Sequence, residues 1–77
     1  MKKRMYKDAN GAKYAVETNG GSRGINLYFC GYRRQMVNGV EHARIPKGLE
    51  WKKSWPEAQK DLDALAEKNG WQQWYGY

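Results

Sequence analysis

The sequence predicts an α+β domain in which an antiparallel sheet of three to five strands is covered on one face by a single C-terminal helix. Two Asn-Gly dipeptides, at 10–11 and 38–39, lie between β-forming segments and are typical of hairpin turns. The stretch from Ser54 to Gly70 has the caps and the periodicity of one amphipathic helix. Because 77 residues support only a small core, we expect a single domain over residues 1–77. Its predicted parts are a sheet at 3–46, a helix at 54–69 and an aromatic tail at 71–77.

The first hairpin is predicted over residues 3–18, with Asn10-Gly11 as a two-residue type I′ turn, since both residues accept a positive φ. This register sets Arg4 opposite Glu17, an opposite-charge pair across the hairpin. It also places three side chains on the core face: Met5, Tyr14 and Val16. The glycine-rich segment 19–24 lacks the Lys-Ser/Thr of a phosphate-binding P-loop and is interpreted as a plain turn.

The second hairpin is predicted from Ile25–Val37 and Val40–Ile45 around Asn38-Gly39. A two-residue turn there sets Arg33 opposite Arg44. The alternation along the first of these strands is not clean, because each face is half apolar and half basic. A bulge near Gly31 would resolve the mixed pattern by switching the faces, so the register remains open.

The helix begins with a capping box in which Ser54 takes an amide of the first turn and Glu57 reaches back to the cap. Gly70 ends it in the left-handed region, and Trp71 folds back on the last turn as in a Schellman motif. The helix has one apolar stripe: Trp55, Ala58, Leu62, Leu65 and Ala66. We expect Trp71 and Trp74 to pack back on the sheet, with the tail as a short edge strand.

The charge is unevenly distributed along the chain. Residues 1–53 hold twelve of the fourteen Lys and Arg and only four acids, a net charge of +8, whereas residues 54–77 carry −2. A surplus of this kind suits an acidic partner, although a solubilising surface gives the same composition. No apolar run approaches the roughly 20 residues that span a bilayer, and no signal peptide is recognisable. We therefore expect a cytoplasmic protein with no membrane partner.

Catalysis has little support in the sequence. The only histidine is His42 and the only thiol is Cys30, and no motif joins them as a nucleophile pair. A single cysteine also excludes an internal disulfide and a cysteine-based zinc site. Glu57, Asp61 and Asp63 are interpreted as outward-facing acids that complement the helix dipole. We predict a protein that is not an enzyme and that has no metal and no cofactor.

Binding is better supported, because cations and aromatic side chains interleave along the predicted sheet. Arginine forks and lysines suit phosphates or carboxylates, while aromatic rings can stack on bases. The alternative is that most of the aromatic rings belong to the core. The predicted partner-binding residues form one basic and aromatic face: Arg4, Arg23, Tyr28, Tyr32, Arg33, Arg34, Arg44, Lys47, Lys52 and Lys53.

The segment from Trp51 to Leu65, WKKSWPEAQKDLDAL, resembles the helix entry of the small sheet-type DNA-binding domains found at the N-terminus of phage tyrosine integrases. In that family the strands enter the major groove and the helix backs the sheet, so the resemblance implies DNA binding. The short, basic, Trp- and Tyr-rich chain also resembles accessory proteins of bacteriophages and prophages, including anti-CRISPR proteins. That resemblance implies an inhibitor that docks on a host protein.

Two functions are therefore expected of this small binding domain. The first is nucleic-acid binding through the basic and aromatic face, with an affinity that falls steeply with salt. The second is an inhibitor or adaptor that docks on an acidic or nucleic-acid-binding host protein through an aromatic anchor. A homodimer that pairs an edge strand or buries the second face of the sheet is compatible with either function.

Overall fold

The structure, a computed structural model, describes residues 3–19 and 27–74. One antiparallel sheet has the strand order β4-β3-β2-β1-β5, and the helix α1 packs mainly against β3 and β2. The predicted fold class, a sheet with one covering helix, is confirmed, and the aromatic tail supplies the edge strand. The elements in chain order are β1 (Met5–Lys7), β2 (Lys13–Thr18), β3 (Phe29–Val37), β4 (Val40–Arg44), α1 (Trp55–Asn69) and β5 (Gln72–Trp74).

The first hairpin turns through three residues, 9–11, and not through two. The cause is Asp8, whose carboxylate accepts hydrogen bonds from the backbone N–H groups of Asn10 (2.9 Å) and Ala12 (3.0 Å). Such a side-chain-capped turn is followed by one left-handed residue, and Gly11 takes that place with a φ of 85°. The local hydrogen bonds of the aspartate therefore select a longer loop than the Asn-Gly pair alone predicts.

The longer turn shifts the register of the first hairpin by one residue, so the predicted pairing was wrong. Tyr6 lies opposite Tyr14, and Arg4 does not pair with Glu17. Because side chains alternate between faces, a shift of one position turns β1 over. Tyr6 is buried under α1, and Met5 lies on the other face of the sheet, contrary to its predicted place in the core.

The second hairpin has the predicted two-residue turn, since Asn38 (φ 52°) and Gly39 (φ 78°) are both left-handed. Arg33 lies opposite Arg44, as expected from that turn. Residues 25 and 26, where this hairpin was predicted to begin, lie outside the described residues. The first strand begins at Phe29 in the structure.

The predicted bulge at Gly31 is absent, because Gly31 pairs with Val16 in the regular ladder between β2 and β3. The glycine is required by packing instead. A Cβ atom at this position would lie 2.8 Å from Leu49 Cδ1 and 3.2 Å from Leu62 Cδ1. Apolar and basic residues are mixed along β3 because α1 covers only the first part of this strand. Arg33 lies beyond the covered part, beside the helix.

The helix has the predicted bounds, but only half of the predicted capping box forms. The Ser54 hydroxyl accepts the N–H of Glu57 at 3.4 Å, whereas the Glu57 carboxylate does not accept the N–H of Ser54. Gly70 is left-handed, as predicted, with a φ of 68°. The N–H of Trp71 donates to the Ala66 carbonyl at 3.0 Å, which completes the predicted Schellman motif. The core beneath the helix consists of Tyr6, Ala12, Tyr14, Val16, Ala58, Leu62 and Ala66.

A polar network that the sequence did not predict fastens α1 to β1. Fully buried Gln59 accepts the N–H of Arg4 and donates to its carbonyl, both at 3.2 Å. Asp63 accepts hydrogen bonds from the Arg4 guanidinium (2.7 Å), from Gln59 (2.9 Å) and from the Tyr6 hydroxyl. Asp63 therefore faces the sheet, and its predicted outward orientation was wrong.

This network perturbs the titration of its members. Burial raises the pKa of Asp63, but the hydrogen bonds from Arg4, Tyr6 and Gln59 outweigh it and hold that pKa below its usual value. Burial, together with the hydrogen bond to Asp63, raises the pKa of Tyr6 to about 12. Asp63 is thus stabilised as an anion at neutral pH. Arg4 is the cation of this network, and its ion pair with Asp63 joins β1 to α1.

Candidate nucleic-acid interface

An open groove of about 870 Å³ lies between α1 and the β3–β4 hairpin. It exists because the helix lies over β2 and β3 and leaves β4 uncovered at the edge of the sheet. We call it the basic groove. Its cations come from the hairpin, from the segment that follows the hairpin and from the last turn of α1: Arg33, Arg44, Lys47, Lys52 and Lys68.

The basic groove also has an apolar and aromatic part of its lining, which we call its floor. This part comprises Leu49, Leu65 and the Trp71 indole. Trp71 stacks on Tyr14, with 3.8 Å between the ring centroids and 15° between the planes. The Tyr14 hydroxyl donates to Asp8 at 2.8 Å, so the ring beneath the indole is fixed at its far end. The groove therefore combines cations with a rigid aromatic surface.

Arg33 and Arg44 lie directly opposite each other on β3 and β4, and neither forms an ion pair within the described part of the chain. Arg33 donates to Gln35 Oε1 at 2.6 Å. Burial raises the pKa of Asp8, but hydrogen bonds from the Tyr14 hydroxyl and from the turn amides hold that pKa below its usual value, and the Arg33 charge adds to this effect without an ion pair. Like charges at directly opposite positions of a sheet are destabilising, so this pair favours a bound anion.

The other cations of the basic groove differ in how far they are neutralised. Lys47 and Lys68 are exposed and have no ion pair among the described residues. Lys52 Nζ lies 3.2 Å from Glu50 and 3.5 Å from Asp61, and the hydrogen bond that Lys52 donates to Glu50 raises the pKa of the lysine. Both carboxylates that line the groove are therefore next to Lys52, which leaves the other four cations available.

The sheet face away from α1, which we call the opposite face, has a different electrostatic character. Arg34 on this face pairs with Glu17 and Glu41, 3.0 Å from the latter, and these hydrogen bonds raise its pKa. Lys13 Nζ lies 4.2 Å from the centre of the Trp74 ring, a cation–π contact. The arginine of the opposite face is thus already satisfied within the chain.

The structure divides the predicted partner-binding residues between several places. Four of them line the basic groove: Arg33, Arg44, Lys47 and Lys52. Arg34 and Tyr32 lie on the opposite face, where the Tyr32 ring centre is 5.8 Å from that of Trp51. Arg4 is bound to α1, as described above. The structure therefore does not bring the ten residues together as one face.

The remaining three predicted residues lie away from the groove. Tyr28 is half-buried just before β3, and its N–H donates to Asn19 Oδ1 at 3.3 Å. Lys53 is exposed beside the start of α1 and does not line the groove. Arg23 lies outside the described residues.

Sequence reasoning missed Lys68 and Trp71 as members of the site. A signal for Lys68 was present, because it follows Leu65 by three residues and so shares the helix side next to the apolar stripe. Trp71 was predicted to pack on the sheet, and nothing in its sequence context indicated that the indole also lines a groove.

Within 3–19 and 27–74, no three His, Cys, Asp or Glu side chains converge as a metal site would require. His42 is exposed on β4, whereas Cys30 is fully buried, and that burial raises its pKa. Over the same residues, no helix has the length and apolar character needed to cross a membrane.

A scan against protein-family models, a search of curated proteins and a search of solved structures find no match to this chain. The likeness to integrase domains and to phage accessory proteins therefore stays an expectation from the sequence.

Proposed function

We propose that the protein binds nucleic acid through the basic groove. The observation that carries this proposal is the pair formed by Arg33 and Arg44. Among the described arginines, Arg4 and Arg34 form ion pairs with carboxylates, whereas these two lie opposite each other and form none. A phosphate placed between their guanidinium groups would relieve the repulsion and accept bidentate hydrogen bonds from planar forks.

Lys47 and Lys68 extend this anion site on the two sides of the groove. A lysine contributes a point charge on a flexible stem, which suits phosphates whose positions vary. Four cations without ion pairs would contact about four phosphates, and each contact releases condensed counterions. The expected slope of log K against log salt is about −2.8 for single strands and about −3.6 for duplexes.

The experiment is a salt series of binding to random single-stranded DNA, duplex DNA and RNA, followed by intrinsic Trp fluorescence. Between about 50 and 200 mM salt, four contacts predict an affinity loss of about 50- to 150-fold. The variant with both Arg33→Gln and Arg44→Gln should lose most of the binding. The matched control, Lys53→Gln with Lys60→Gln, removes the same charge outside the groove and should bind nearly as well as the wild type. Absence of binding at low salt to all three nucleic acids would refute the proposal.

A second candidate function is favoured by one observation, the apolar tip of the β3–β4 hairpin. Met36, Val40 and Val37 are 65%, 58% and 42% exposed there, and a phosphate-binding site has no need of them. Exposed apolar side chains at a protruding turn suit an anchor on a host protein, as an inhibitor or adaptor would use. In that case Met36→Ser with Val40→Ser would abolish capture of the partner and leave nucleic-acid binding unchanged.

A further inference from the structure

We infer that the basic groove takes a single strand rather than a duplex, with bases stacked on Trp71. This inference rests on the proposed function, since it names the class of nucleic acid that the same groove binds. Three features carry it: the size of the groove, the placement of its cations and the nature of its floor.

The size of the basic groove suits a few nucleotides. Its volume of about 870 Å³ is within the range of about 300–1,000 Å³ that is typical of sites for small molecules. The cations lie on both of its walls, with Arg44 and Lys47 on the hairpin side and Lys68 on the helix side. A single backbone that runs along the groove can therefore contact cations of both walls.

The floor of the groove provides the second argument. Leu49, Leu65 and Trp71 line the same groove as the cations, and apolar surface contributes nothing to binding a phosphate. In a duplex the base faces are stacked inside the helix and cannot reach such a floor. A single strand can turn its bases inward, so that the apolar floor and the cations are both used.

The Trp71 indole, which lines the groove, is held in place by contacts within the chain. One face of Trp71 is covered by Tyr14 at a centroid distance of 3.8 Å, and its backbone is fixed by the hydrogen bond to Ala66. Tyr14 in turn donates to Asp8. A ring whose rotation is restricted before binding loses little conformational entropy when a base stacks on it. Stacking depends little on base identity, so we expect weak sequence preference.

The test compares three ligands of about twelve nucleotides on the wild-type chain: a single strand, the same sequence as a duplex, and a single strand of abasic sites. The inference predicts that the single strand binds about tenfold or more tightly than either of the others. It also predicts that Trp71→Leu lowers affinity for the single strand toward that for the abasic strand. Trp74→Leu, on the opposite face, should leave the affinity for the single strand unchanged.

The outcomes separate this inference from the proposed function. Equal or tighter binding of the duplex would overturn the single-strand inference, while nucleic-acid binding by the groove would stand. Equal binding of the abasic strand would overturn the stacking on Trp71. If none of the three ligands binds at low salt, the proposed function fails as well. The ligand comparison uses the unaltered protein, so its result does not depend on whether the Trp71 variant folds.

Discussion

Replacing Arg44 by Gln should make the protein more stable, whereas replacing Arg34 by Gln should make it less stable. Both residues are arginines on neighbouring strands of the same hairpin, and both substitutions remove one positive charge. They differ in their partners. Arg44 lies opposite Arg33 without a carboxylate, while Arg34 lies between Glu17 and Glu41.

The expected magnitudes follow from these contacts. A like-charge pair at directly opposite positions costs about 0.2–1 kcal/mol, so Arg44→Gln should gain about 0.5 kcal/mol. In a domain of this size that gain raises Tm by about 2–4 °C. Arg34→Gln loses two exposed ion pairs, each worth about 0.2–1 kcal/mol, and leaves two glutamates without their counter-charge. Its expected loss is about 1 kcal/mol, or about 4–8 °C.

The assay is thermal unfolding of both variants followed by circular dichroism, at about 10 mM and about 1 M salt. Opposite signs are expected at low salt, and both effects should shrink at high salt because exposed charges are screened. A decrease in Tm for Arg44→Gln comparable with that for Arg34→Gln would refute the reasoning. So would a gain that is unchanged in high salt, since a gain of that kind would not come from charge repulsion.

Three further predictions concern the fold. Gly31→Ala should lower the free energy of unfolding in urea by about 1–3 kcal/mol, because the added Cβ overpacks against Leu49. The same substitution made together with Leu49→Ala should cost less, and an equal cost would contradict the close approach of position 31 to Leu49. Asp63→Asn should weaken the acid dependence of stability. The pKa of the Asp63 carboxyl is lower in the folded state than its unfolded value of about 3.8, so the ionised carboxyl stabilises the fold above that pH and this contribution is lost as the pH falls below it. The urea midpoint of the variant should therefore fall less than that of the wild type between about pH 5 and 2. Asp8→Ala should lower the free energy of unfolding by about 1–2 kcal/mol, because the hydrogen bonds that Asp8 accepts in the first turn are lost. Unchanged stability in thermal unfolding would show that Asp8 does not determine the length of this turn.

Local signals in the sequence were enough to predict the elements of the fold. Ser54 and Gly70 mark the ends of the helix, because capping interactions act within one turn. Asn38-Gly39 determine the turn of the second hairpin, because both residues favour a positive φ. The first hairpin differed because the side chain of Asp8 competes for the same turn amides. A single side chain thus decided which face of β1 enters the core.

The candidate site was only partly predictable from the sequence, because it depends on which strands of the sheet α1 covers. The pairing of Arg33 with Arg44 follows from the hairpin turn, and the sequence indicates it. The neutralisation of Arg34 requires three strands in register, which no local pattern specifies. Trp71 enters the site only because α1 leaves β4 uncovered, which depends on the packing of the whole domain.

Binding of nucleic acid in the basic groove can be observed directly by NMR. The measurement is the change in backbone amide shifts as a single-stranded oligonucleotide is added to the wild-type protein at low salt. We expect the largest changes to cluster around Arg33, Arg44, Lys47, Lys68 and Trp71. Changes centred instead on Lys13, Tyr32 and Trp74 would place the ligand on the opposite face and contradict binding in the groove.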